Sequence, residues 1–256
     1  MYLTDRLEIA TASNIGRVRR HNEDFHRAAV YPTPKGSLLV AAVADGMGGA
    51  EAGEVASKIA IDSLSEAVRA YANHLNQHRT SVPLDRLVLK AFSLAQRRIR
   101  NYVMHHPENQ GMGTTMTALV AFEKANQGYL GHIGDSRAYR YRGGELKLLT
   151  QDHSWVAQQV RMGRMTDWEA EEHPWRNMLT QALGIEDAEF EVTPVELLSG
   201  DVYVFTTDGL YNQVPPEEWI VDLDQKDLES AVDYWTAQAV RRGGTDNITV
   251  VAVRIR

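Results

Sequence analysis

Four aspartates carry the chemistry this sequence offers. Asp45, Asp135 and Asp208 each close an apolar run, whereas Asp246 follows a glycine pair and precedes an apolar run. Each has a glycine close by: Gly46, Gly134, Gly209, and Gly244 two places before Asp246. A further acidic spot, Glu23-Asp24, lies ahead of the first apolar strand. Alone, an Asp-Gly pair is a common turn, and Asp246-Asn247 reads the same way. Together they say more. Strand ends can meet at one edge of a sheet, where several carboxylates repel one another unless cations lie between them. Oxygen ligands without sulfur suit hard ions, Mg²⁺, Mn²⁺ or Ca²⁺. The glycines let the main chain approach closely, so the carbonyl of Gly46 is a candidate ligand too.

Other chemistries fit less well. With no cysteine among 256 residues, disulfides, thiolate zinc sites and cysteine nucleophiles are excluded, which fits a reducing cytoplasm. There is no His-Glu-x-x-His helix. His74 and His78 have i, i+4 spacing but fall in a polar stretch read as a loop. His132 lies in a strand pattern and reads as a satisfied core residue. His153, beside Asp152, reads as a loop brace, with catalysis the lesser alternative. No phosphate-cradling Gly-Lys-Ser/Thr loop occurs. Gly46-Met47-Gly48-Gly49-Ala50-Glu51 resembles the start of a dinucleotide fingerprint, but Glu51 replaces its third glycine and Asp45 would face the pyrophosphate. A net charge of −7 argues against nucleic acid as a partner. No apolar stretch approaches the ~18 residues of a membrane span, and no secretory leader is evident.

The elements that must position the aspartates are legible. Leu38 to Ala44 reads as a buried strand, followed by a helix from near Glu51 whose stripe includes Ala52, Ala56, Leu64 and Val68. Asn73 to Pro83 reads as a loop, and Leu84 to Tyr102 as a second amphipathic helix. Thr115–Phe122, Tyr129–Ile133 and Arg137–Tyr141 read as strands, with turns at 126–128, 134–135 and 142–145. Residues 151–183 are polar, rich in methionine and tryptophan, and read as a partly helical insertion. A strand at Val202–Thr206, a helix at Leu228–Val240 and a last strand at Ile248–Val253 complete the order. Strands come in runs rather than alternating with helices, which predicts an α+β fold. The hydrophobic fraction of 43% is ample for a core.

In this order the residues resemble the metal-dependent protein phosphatases of the 2C type, in their bacterial form. The resemblance rests on Gly16-Arg17-Val18-Arg19-Arg20-His21-Asn22-Glu23-Asp24, Val43-Ala44-Asp45-Gly46-Met47-Gly48-Gly49 and Gly113-Thr114-Thr115. It continues through His132-Ile133-Gly134-Asp135-Ser136-Arg137-Ala138, Leu149-Thr150-Gln151-Asp152-His153-Ser154, Thr207-Asp208-Gly209-Leu210 and Gly244-Thr245-Asp246-Asn247-Ile248-Thr249. It implies a four-layer α-β-β-α sandwich with two central antiparallel sheets, formed by residues 1–256 as one domain with a flap at about 151–183. It implies two Mn²⁺ or Mg²⁺ ions bridged by Asp45, with Asp208 and Asp246 at the first and Glu23 and the Gly46 carbonyl at the second. A third, weaker site would use Asp135 with Asp208, and Arg19 would grip the substrate phosphate. Without the family, Arg17, Arg19 and Arg20 read first as a solvated basic run.

The implied activity is hydrolysis of phosphoserine and phosphothreonine in proteins, a hydroxide held by the two cations attacking phosphorus in line. The expected setting is a monomer in the cytoplasm with a cognate serine/threonine kinase. Alternatives are a catalytically weak relative that binds phosphoproteins as a regulator, and a hydrolase of small phosphoesters. Eukaryotic members of the family carry a histidine directly after the Asp-Gly pair, and many bacterial members one after the Gly-Gly pair. Here Met47 and Ala50 occupy those places, so the proton donor is left to a metal-bound water.

Overall fold

The computed structural model describes residues 2–3, 6–48, 51–78 and 82–256. Its strands are β1 (Tyr2–Leu3), β2 (Leu7–Asn14), β3 (Asp24–Tyr31), β4 (Leu38–Met47), β5 (Gly113–Thr114), β6 (Met116–Phe122), β7 (Gln127–Ile133), β8 (Arg137–Arg142), β9 (Glu145–Leu148), β10 (Glu191–Glu196), β11 (Val202–Thr206) and β12 (Ile248–Ile255). Its helices are α1 (Ala52–Gln77), α2 (Leu84–His105), α3 (Trp155–Arg161), α4 (Asp167–Glu171), α5 (Asp208–Tyr211), α6 (Trp219–Gln225) and α7 (Leu228–Arg241). One sheet runs β1-β2-β12-β11-β8-β9 and the other β10-β7-β6-β4-β3, with β5 paired to the end of β4. Every pairing is antiparallel.

The pleat sorts the side chains into layers, because successive residues of a strand face opposite sides. On β4, Leu38, Val40, Ala42 and Ala44 pack against α1 and α2. Leu39, Ala41 and Val43 face the other sheet. On β11 and β12, Val202, Val204, Ile248, Val250 and Ala252 pack beneath α6 and α7, around stacked Trp219 and Trp235. Tyr203, Phe205, Val251 and Val253 meet the inner face of β4. These three cores define helices, sheet, sheet, helices, the four-layer sandwich expected from the motifs.

Several elements differ from expectation. The polar stretch after residue 73 is not loop throughout: α1 continues to Gln77, because Leu75 is buried on its inner face. Leu38–Met47 is not the first strand, since β2 and β3 precede it. β3 has only one fully buried residue, and β9 and β10 are largely exposed, so their apolar signal is weak. The turn expected at 126–128 ends by Gln127, where β7 begins, and β9 starts inside the one expected at 142–145.

Candidate metal centre

The site begins where the inter-sheet core runs out. Asp45 continues the inward-facing series Leu39, Ala41 and Val43 by one more step, so it stands at the mouth between the sheets. Asp24 is its register partner on β3 and shares that face. On the opposing sheet, Thr207 and Thr249 follow and precede Phe205 and Val251 in the same series. Thr115 and Ser136 complete a polar rim, their hydroxyls 2.7 Å apart. Each strand thus ends its aliphatic run with an aspartate, threonine or serine at one edge of the sandwich.

Hydrogen bonds hold the aspartates' backbones. The amide of Asp45 donates to Thr115 Oγ1 (2.8 Å), and its carbonyl accepts from Thr114 Oγ1 (2.8 Å) and from the Thr115 amide (2.9 Å). Thr207 Oγ1 donates to Asp24 Oδ2 (2.8 Å). Asp208 opens α5, and Asn212 Nδ2 donates to its Oδ2 (3.2 Å). The Asn247 side chain ties the N-terminal motif to Asp246: it accepts from the Glu23 amide (2.8 Å) and donates to the carbonyls of Ile15 and His21 (2.9 and 3.0 Å). Gly46 donates to the Glu23 carbonyl (3.1 Å) and lies so close to Gly53 that a Cβ there would collide with the Gly53 carbonyl. A Cβ on Gly53 would stand 2.7 Å from Glu23 Oε1. Glu23 and Gly46 therefore share one small space at the start of α1.

Asp135 stands one residue beyond the Gly134 turn, whose φ of +101° only glycine adopts readily. Tyr211 donates its hydroxyl to the Asp135 carbonyl (3.0 Å), with the Arg137 guanidinium over its ring at 3.9 Å. Arg137 forks onto Asp152 at 2.8–3.2 Å. His153 braces the same turn, accepting at Nδ1 from the Gly134 amide (3.1 Å) while its own amide donates to the Gly134 carbonyl (2.8 Å). His132 is buried, bonded to Thr117 (2.9 Å) and to the Gln151 carbonyl (3.0 Å), and burial takes its pKa down to about 4. It is a neutral core residue.

The electrostatics are those of an anion cluster. Burial, then the neighbouring Asp24, Asp208, Asp135 and Asp246, raise the Asp45 carboxyl well above its ordinary value. Burial followed by Asp208 does the same to Asp135. Burial and Asp246 push Asp208 up to about 6, against the pull of Arg19 and Arg137. Burial, with Asp208 and Asp246 adding repulsion, takes Asp24 to about 7 despite the Thr249 and Thr207 hydroxyls. Asp45, Asp135 and Asp208 are ringed by protein yet keep a small edge open to the cleft. The cation on the Asp246 side is Arg19, whose Nη2 lies 2.7 Å from Asp246 Oδ2 and Nη1 3.8 Å from Glu23 Oε2. The guanidinium thus rests on two of the expected ligands.

The residues fit divalent cations on two counts. The mutual repulsion just described is relieved by cations among the carboxylates. Asp24 Oδ1 and Asp208 Oδ1 are also buried with no hydrogen-bond partner, lone pairs that a cation or its water would satisfy. Among the described residues, no three acidic or histidine side chains are already drawn into a closed metal shell. Asp24, noted in the sequence only as an acidic neighbour of Glu23, is deep in the site. The inward series Asp24, His26, Ala28 and Val30 is the signal that would have placed it there. Gly49 and Ala50 lie outside the described residues. Met47 covers Gly113 at the end of β4.

Comparison with known proteins agrees with this geometry. The family profile of protein phosphatase 2C matches residues 16–247. The chain belongs to that family. It is 36% identical over 249 residues to the serine/threonine protein phosphatase PstP of Mycobacterium tuberculosis, covering 97% of this chain and 45% of PstP. The chain thus spans about half the length of that relative. It is 35% identical over 240 residues to the serine/threonine phosphatase Stp of Listeria monocytogenes, covering 93% of this chain and 92% of Stp. The solved structure of M. tuberculosis PstP superposes with a TM-score of 0.86 at 34% identity, over 98% of this chain and 99% of the other. The catalytic domain of PstP in complex with two manganese ions superposes at 0.83, with 33% identity and 98% of each chain covered.

Proposed function

We propose that this chain is a metal-dependent serine/threonine phosphoprotein phosphatase. The observation that carries the reading is the convergence of Asp24, Asp45, Asp135, Asp208 and Asp246 at one inter-sheet edge, with buried carboxylate oxygens left unpartnered. Two Mn²⁺ or Mg²⁺ ions bound there would supply an activated water as nucleophile and Lewis acidity at the phosphoryl oxygens. Asp45 would be shared between them. Asp208 and Asp246 would hold the first, and Glu23 and the Gly46 carbonyl the second. Asp135 with Asp208 would offer a third, weaker site. Asp24 Oδ1, on the register partner of Asp45 and without a hydrogen-bond partner, would accept a hydrogen bond from a water held there. Arg19 would leave Asp246 for the substrate phosphate, to which it offers a planar pair of donors. Residues 1–256 would act as one domain, with 151–183 as a flap beside the Asp135 turn. A cognate serine/threonine kinase, a monomeric state and a cytoplasmic location go with this reading.

The test is hydrolysis of a phosphothreonine peptide with Mn²⁺, before and after chelation. The reading expects activity that chelator removes and fresh Mn²⁺ restores, and none in Asp45→Ala. Full activity in excess chelator overturns it. Competition between the phosphopeptide and small phosphoesters separates a protein phosphatase from a small-ester hydrolase.

A further inference from the structure

The outer face of α2 carries a row of cations on this acidic molecule. Arg86, Lys90, Arg97 and Arg100 are exposed, and none has a carboxylate partner among the described residues. At 100° per residue they fall, with Met104, within an arc of about 80°, and the row runs about 27 Å along the helix. The only acidic residue of α2, Asp85, is half-buried off that row. A chain of net charge −7 thus presents one helix-wide cationic stripe.

The C-terminal half of the stripe is also a groove. Leu94, Arg97, Arg98, Arg100, Asn101 and Met104 line a shallow cleft of about 580 Å³. Met104 is 71% exposed at its end. Arg98 is already paired with Glu66 at 2.7 Å, which fixes one wall and leaves Arg97 and Arg100 free. Leu94 and Met104 flank the two unpaired guanidinium groups, which suits a ligand carrying carboxylates beside an apolar anchor.

The groove is tied to the catalytic edge at both ends. The Gln96 side chain donates to the Ile185 carbonyl (2.7 Å) and accepts from the Gly184 amide (2.6 Å). The neighbouring Leu183 exchanges backbone hydrogen bonds with Thr114, whose hydroxyl bonds the Asp45 carbonyl. Beyond Met104, α2 ends and the chain reaches Gly113, paired with Met47 on β4.

We infer that this groove docks an acidic segment of the phosphoprotein substrate, one with an apolar side chain among its carboxylates, while the phosphorylated residue occupies the cleft. This deepens the phosphatase reading and rests on it. A duplex nucleic acid or an anionic membrane would need a broader basic face. The adjacent face of α1 carries Glu54, Asp62 and Glu66 among its cations, so the stripe stays one helix wide.

The test uses the full chain in two arms. The first measures binding of a fluorescein-labelled, unphosphorylated Glu/Leu peptide by polarisation, which needs no catalysis. The second compares kcat/KM for a phosphothreonine peptide with and without that acidic extension. Wild type should bind the labelled peptide and prefer the extended substrate roughly tenfold through KM, the yield of two part-exposed ion pairs. Arg97→Glu/Arg100→Glu should lose both, while keeping wild-type kcat/KM on an aryl phosphate. Arg97→Gln/Arg100→Gln should fall between them, and an unchanged melting temperature shows that the fold is kept. Equal binding and equal preference in wild type and both variants overturn the inference. So does binding of duplex DNA or anionic vesicles in place of the peptide. If the peptide binds through Arg97 and Arg100 but no phosphopeptide is hydrolysed, the phosphatase reading fails and the acidic-segment site stands.

Discussion

Asp208→Asn should stabilise the metal-free protein and abolish its stabilisation by metal. Burial and Asp246 raise the Asp208 carboxyl from the ordinary 3.8 to about 6, so keeping it ionised at pH 7.5 opposes folding. At 1.36 kcal/mol per tenfold change in acidity, the cost is ~3 kcal/mol. The amide removes that cost but leaves an unpaired donor worth ~1 kcal/mol, for a net gain of ~2 kcal/mol. For a domain of this size the melting temperature should rise by ~4–8 °C in excess chelator. With Mn²⁺ the order should reverse. A ligand at a hundredfold its Kd stabilises the wild type by ~2.7 kcal/mol, and the variant forgoes most of that. The assay is thermal unfolding of both proteins at pH 7.5, in chelator and in Mn²⁺. A variant less stable than wild type in chelator would refute the idea that the cluster stores repulsion relieved by cations.

Other expectations follow from the same structure. Asp24 and Asp208 have folded pKa values of about 7 and 6, above their unfolded 3.8, so the metal-free fold binds more protons than the unfolded chain between those limits. Its stability should therefore rise as pH falls from 7.5 to 5, read as a higher urea midpoint in chelator; a lower midpoint at pH 5 contradicts this. Gly53→Ala places a Cβ 2.7 Å from Glu23 Oε1, so Mn²⁺ affinity measured by calorimetry should fall at least ~10-fold. Unchanged affinity would remove Glu23 from the ligand set. Arg142→Ala strips the forked partner from Asp201, whose side chain is 1% exposed, and should cost ~2–3 kcal/mol in urea unfolding without changing Mn²⁺ affinity.

Much of this was legible in the sequence because the sheet converts period into position. Apolar runs ending at Asp45 and Asp208 specify strands with a carboxylate at the tip, and alternation along β4 decides that Asp45 faces inward with Val43. Asp24 was harder. Strand β3 carries Arg27 and His26 and lies at a sheet edge, so its inward series is a weak apolar signal, and pairing with β4 sets Asp24 opposite Asp45. The roles of Asn247 and Gly53 arise from contacts across more than 200 and about 30 residues, which local pattern does not encode. Arg19 was expected at the phosphate; in the structure its guanidinium pairs with Asp246 and Glu23.

The most direct measurement is anomalous scattering from crystals of this chain grown with Mn²⁺. The account predicts two manganese peaks on either side of the Asp45 carboxylate, one also bound by Asp208 and Asp246, the other beside Glu23 and the Gly46 carbonyl. Both should disappear in Asp45→Ala. A single peak, or two that do not share Asp45, would contradict it.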